Sequence, residues 1–172
     1  PLDHTVYDTW ESVGNKQFSK NGIWAAYNIL QQEGDANLYF YQTLSTQKFS
    51  VNRATNTSFS ADGKFAAFSI KPFYKETRLA KIKKKKADQM PKDSLGIANL
   101  TTLAINKIPR VKSFKFPENG ASILAYQLEK AVDTAKNKTT LNKGADNSAD
   151  FFADDETNNL ASKEGTELFV KN

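Results

Sequence analysis

Residue types that do chemistry are sparse in this chain of 172 residues. There is one histidine, His4, and no cysteine. Acyl transfer through serine needs a base held beside an exposed hydroxyl and a third group that orients the base. His4 is the sole candidate base, and it stands in an irregular N-terminal stretch, "PLDHTVYDTWESVG". No G-x-S-x-G elbow accompanies it: "GASIL", beginning at Gly120, lacks the closing glycine and falls where the sequence reads as a hairpin. Without cysteine, disulfides and thiolate metal sites are excluded. Asp154, Asp155 and Glu156 are adjacent, not spaced as in a calcium loop, and read as solvated carboxylates. No glycine-rich phosphate loop is present. The sequence therefore assigns no catalytic, cofactor-binding or metal-binding residue, and this stretch is expected to be catalytically inert.

What the chain does write, repeatedly, is a scaffold. "FSKNGIWAAYNI" (Phe18–Ile29) recurs 41 residues later as "FSADGKFAAFSI" (Phe59–Ile70), with six of twelve positions identical. A third copy, "FPENGASILAYQL" (Phe116–Leu128), carries one extra residue after Gly120. Each copy centres on Asn-Gly or Asp-Gly between apolar runs, which predicts a hairpin closed by a two-residue type I′ turn. The strand after each turn is apolar on both faces. In the second copy Phe65 and Ala67 are expected to point one way, and Ala66, Phe68 and Ile70 the other. A strand buried on both sides lies inside a stack of sheets. The segments that follow repeat too: "TLSTQKF" (Thr43–Phe49) aligns with "TLAINKI" (Thr102–Ile108) without a gap. Four strands in about forty residues is the period of a β-propeller blade.

The fold class is therefore all-β: a partial β-propeller of about two and two-thirds four-stranded antiparallel blades with two polar insertions. The repeat divides the chain into an N-terminal arm (1–17), blade 1 (18–58), blade 2 (59–115) and an incomplete blade 3 (116–172). Blade 2 holds a Lys-rich insertion over 71–93, with a short helix expected over Tyr74–Ala87 and Pro91 near its stop. Blade 3 holds a polar, net acidic insertion over 131–164, whose Phe151 and Phe152 stand out. Leu168, Phe169 and Val170 read as its third strand, beside "SILAYQL", and no fourth strand follows.

The formal net charge is +5, unevenly placed. Lys83 to Lys86 form the densest run, and the reading is a solvated basic loop with no specific nucleic-acid role, since stacking on bases needs interleaved exposed aromatics. No apolar run approaches membrane-spanning length, so no transmembrane segment is expected. Pro1 is not a natural initiator, and a removed signal peptide is the expectation.

"FSADGKFAAF" is similar to the S-x-D-G-k-x-[IVA]-A-[FY] element of TolB-like and peptidase propeller blades. "PLDHTVYDTWESVG", "QEGDANLYFY", "FSIKPFYKETRLAKIKKKKADQMPKDSLGI", "KIPRVKSFKFPENGASILAYQLEK" and "KEGTELFVKN" together resemble the N-terminal propeller of prolyl-oligopeptidase-family proteins from Bacteroidota-type bacteria. The resemblance implies a secreted or periplasmic serine peptidase as parent. It implies further blades and an α/β-hydrolase domain as partners of this chain, peptides as the parent's substrates, and a propeller that restricts entry to short ones. It requires no cofactor. The alternative is a TolB-like propeller that serves protein–protein interaction with no enzymatic partner domain.

Overall fold

A computed structural model describes residues 10–120, 122–129 and 168–171. His4, Phe151, Phe152, Asp154, Asp155 and Glu156 lie outside them. Among the described residues eleven strands, one α-helix and a short 3-10 turn (Ala87–Gln89) follow one another as three meanders. The first sheet is β1 (Glu11–Phe18), β2 (Trp24–Gln31), β3 (Asn37–Gln42) and β4 (Lys48–Asn52), antiparallel and in chain order. The second is β5 (Ala54–Phe59), β6 (Phe65–Ile70), β7 (Ser94–Asn99) and β8 (Ile105–Pro109). The third is β9 (Val111–Lys115), β10 (Leu124–Leu128) and β11 (Leu168–Lys171). These are successive blades of a partial β-propeller, two of four strands and one of three among the described residues.

The strands start earlier than the repeat units do. Strand β1 occupies Glu11–Phe18, inside the stretch read as an arm, and β5 occupies Ala54–Phe59, inside the unit read as blade 1. The reason is that the repeated Phe closes the first strand of each blade. Taking Phe18, Phe59 and Phe116 as starting points cuts that strand off and hands it to the preceding unit.

Alternation along β6 sorts its side chains into two cores. Ala66, Phe68 and Ile70 join Trp24, Ala26, Leu38, Phe40 and Val51 of the first blade. Ala67, with Phe65 beside it, joins Leu95, Ile97, Val111, Phe116 and Leu124. Both alanines are fully buried. Phe40 sits 4.6 Å from Phe49 and 5.8 Å from Phe68, ring centre to ring centre. Phe68 lies directly opposite Gly96 on β7, and a Cβ on that glycine would come within 2.1–2.8 Å of the Phe68 ring. The glycine is there to make room for the ring.

The hairpin turns differ from the expected type I′. Asn21 and Asp62 do not take positive φ; among each pair only the glycine does, at +70° for Gly22 and +69° for Gly63. Each loop is instead a type I turn closed by the Gly22 amide donating to Ser19 O (2.9 Å) and Gly63 to Ser60 O (3.0 Å). The cause is the serine two residues ahead of the Asx. Ser60 Oγ donates to Asp62 Oδ1 (2.6 Å) and accepts from the Phe65 amide (3.0 Å), while the Lys64 amide donates to Asp62 Oδ1 (3.1 Å). Ser19, Asn21, Ile23 and Trp24 repeat the same bonds. Side-chain bonds of this sort specify a turn that Asn-Gly alone does not.

The first strand of each complete blade carries a second repeated device. Register slips between Gly14 and Gln17 in β1 and between Thr55 and Ser58 in β5. Asn15 (φ 42°) and Asn56 (φ 52°) sit in those bulges. Blade junctions are built alike as well. Arg53 (φ 63°) and Arg110 (φ 59°) each stand alone between two sheets. The Arg53 carbonyl accepts from the Lys71 amide and its guanidinium donates to Lys71 O; Arg110 does the same with Glu129. Left-handed arginine is unfavourable, and these paired bonds offset it.

The two turn glycines should respond differently to substitution. Both hold positive φ, so alanine costs about 1–2 kcal/mol at either. A Cβ at Gly22 meets nothing within 4 Å, whereas at Gly63 it would lie 2.4–2.9 Å from the Asn21 side chain of the neighbouring blade. Denaturant melts of Gly22→Ala and Gly63→Ala should show the second clearly more destabilising. Equal losses would mean the first and second turns do not pack together.

Candidate functional site

Antiparallel order places the short turns of all blades at one end. Here the first-to-second-strand loops approach one another across blades. Lys20 Nζ donates to Glu118 O and to Asn119 Oδ1 (3.0 Å), tying the first loop to the third. Asn21 packs on Gly63. Between the second and third blades lies a cleft of about 390 Å³ lined by Asp62, Lys64, Phe65, Ile97, Phe116, Ser122 and Leu124. Its floor is apolar and its rim carries the Asp62 carboxylate. Ser122 brings in a hydroxyl, buried and without a bond of standard geometry. The Ser122 hydroxyl, then Ser60 and the Lys64 amide, hold the Asp62 pKa down at about 2. "GASIL" thus supplies Ser122 to a carboxylate, with no histidine among the described residues around it.

A polar cleft of about 450 Å³ runs along the first strands of the three blades. Asn15 and Gln17 come from β1, Asn56, Thr57 and Ser58 from β5, and Lys112, Ser113 and Phe114 from β9. The bulges at Asn15 and Asn56 turn these amides out of the ladder. Thr57 is 5% exposed and its hydroxyl has no partner, as is true of the Thr55 hydroxyl. A buried hydroxyl without a partner retains hydrogen-bonding capacity, and such groups are few in folded proteins. The lining can exchange hydrogen bonds with an uncharged polar chain and offers one cation, Lys112. It contains no nucleophile–base pair.

The opposite end carries the second-to-third-strand connections, five residues in the first blade and much longer in the second. Helix α1 (Tyr74–Ile82) follows β6 within the 71–93 insertion. It is shorter than the sequence suggests. Lys84 takes φ 48°, and the Lys84 and Lys85 amides donate to Lys81 O and Ala80 O. That is a Schellman closure, which ends the helix inside the lysine run, ahead of Pro91. Asp35 of the first blade accepts from the Tyr74 amide (2.8 Å) at the helix start, and Glu33 pairs with Arg78 (3.0 Å). The Arg53 guanidinium lies 3.8 Å from the centre of the Phe73 ring. The groove between helix and blade, about 1010 Å³, is lined by Glu33, Asp35, Arg53, Phe73 and Tyr74 among others. Lys83, Lys84, Lys85 and Lys86 are all exposed. Sequence reading marked the insertion but missed the docking residues, because Asp35 and Glu33 lie some forty residues away and carry no pattern of their own.

Among the described residues no group of three metal-ligating side chains occurs. No protein-family model matches the chain, and no curated protein matches it. Solved structures do. An acylaminoacyl peptidase in complex with Z-Gly-Gly-Phe-chloromethyl ketone superposes with a TM-score of 0.52 at 15% identity, over 98% of this chain and 26% of that one. The Pyrococcus horikoshii acylaminoacyl peptidase, orthorhombic form, gives 0.50 at 14% identity, over 78% of this chain and 20% of that one. Its uncomplexed form gives 0.50 at 14%, over 85% and 21%. The likeness is one of fold, and this chain spans about a fifth to a quarter of the length of these three structures.

Asp62 gives a test of the turn network. A folded pKa near 2 against an unfolded 3.8 means that ionised Asp62 stabilises the fold above the unfolded value. That stability is lost as pH falls from about 4 to about 2. Asp62→Asn should lower the melting temperature near neutrality, and the gap from the parent chain should close at about pH 2. A gap that does not change with pH would remove the carboxylate from the network.

Proposed function

We propose that this chain is the non-catalytic propeller part of a secreted or periplasmic serine peptidase of the prolyl-oligopeptidase type, gating peptide access to an α/β-hydrolase domain that carries the triad. The observation that carries this reading is an uncovered blade face. Phe59, which closes β5, and Phe116, which directly follows β9, pack on the preceding blade, and Phe116 is 7% exposed. Phe18, at the same place in β1, is 70% exposed, with Val13 exposed on the same strand. A further blade would cover Phe18 as the first blade covers Phe59. The fold likeness to acylaminoacyl peptidases supports the same conclusion. In this reading the polar cleft along β1, β5 and β9 faces passing peptides and offers hydrogen bonds to their backbone without holding one side chain.

The test is labelling with a fluorophosphonate probe. The 172-residue chain should not react, and the protein encoded by the whole gene should react at one serine. Stoichiometric labelling of the chain itself would overturn the non-catalytic assignment. A whole protein with no reactive serine would favour an interaction module of the TolB type.

A further inference from the structure

Helix α1 and the turn after it present a surface that the peptidase reading does not use. Leu79 and Ile82 lie three residues apart on the helix, hence on one side. They are 55% and 66% exposed. Lys75 and Lys83 stand four residues before and after Leu79, and Lys84, Lys85 and Lys86 continue the run, all exposed. Over 75–88 the cations are Lys75, Arg78, Lys81 and Lys83 to Lys86, against the carboxylates Glu76 and Asp88. The ion pairs formed by the described residues use Arg78 but none of Lys75, Lys81 or Lys83 to Lys86.

This run is held in place. Ala80 is buried, and Asp35, Glu33 and Arg53 fix the helix on the first blade. The Schellman bonds set the path of Lys83 to Lys85, and the Gln89 amide bonds to Lys86 O. The fold thus gathers like charges into a short turn with exposed aliphatic side chains beside them.

We propose that this face is a docking surface for anionic lipid headgroups. Charge complementarity and side-chain type carry the choice. Lysine is depleted in the cores of protein–protein interfaces, where arginine is preferred. Lysines flanking aliphatic side chains fit a bilayer surface, with the cations among headgroups and the apolar groups at the acyl boundary. Nucleic acid shares the charge, but its recognition beyond phosphate attraction needs stacking or base-edge groups. Here the Phe73 ring already carries Arg53, and Tyr74 is half-buried on the docked side of the helix.

Vesicle co-sedimentation tests this with the full chain, using phosphatidylcholine vesicles with and without phosphatidylglycerol. Binding should require phosphatidylglycerol and weaken as salt is raised. Replacing Lys83 to Lys86 with glutamine should reduce the partition coefficient about fivefold per lysine removed. Leu79→Ser with Ile82→Ser should weaken it further while leaving a salt-sensitive remainder. All these positions are exposed, and an unchanged circular dichroism melt will show that the variants fold. Absence of binding to anionic vesicles, binding indifferent to the lysine changes, or stronger lysine-dependent binding to duplex DNA than to the vesicles would each overturn the proposal.

Discussion

The structure depends on one strand that has no solvent face. β6 gives Ala66, Phe68 and Ile70 to the first blade and Ala67 to the third. Twin alanines let sheets approach on both sides, and the aromatic partners fill what the alanines leave open. Full burial of a ring such as Phe68 contributes about 1.5–3 kcal/mol. The same logic explains Gly96, because a side chain opposite Phe68 would displace the ring. Neither face of the middle blade can be optimised alone.

Once the sheets are stacked, their ends acquire distinct characters. At one end the Asx-Gly loops touch across blades, through Lys20 to Asn119 and Asn21 to Gly63. Away from those loops a buried amide adds a further tie, with Asn28 Nδ2 donating to Ala54 O of the next blade (2.6 Å). At the other end the second-to-third-strand connections vary in length, and α1 uses that freedom. Access along the first strands is polar because their bulges expose Asn15 and Asn56.

Much of this was legible in the sequence. The 41-residue repeat gave strand number and order, and alternation in "FAAFSI" assigned each side chain of β6 to its core. The end of β6 at Ile70 and the return into β7 could be read from the apolar pattern on either side of the lysine run. The turn type could not be read from Asn-Gly alone, because the deciding bonds come from Ser19 and Ser60. Asn15 and Asn56 are 41 residues apart and were a readable sign of a repeated bulge. Arg53 and Arg110 were not, since arginine is no marker of left-handed backbone, and their role appears only when Lys71 and Glu129 are brought alongside. The cleft at Asp62 likewise needed Ser122 from another blade.

Native-state hydrogen exchange on the full chain tests the central place of β6 most directly. Its Phe65–Ile70 amides are predicted to exchange only through global unfolding, and more slowly than those of β1, whose side chains are largely exposed. Amides of β6 that exchange as fast as those of β1 would contradict the stacked-blade account.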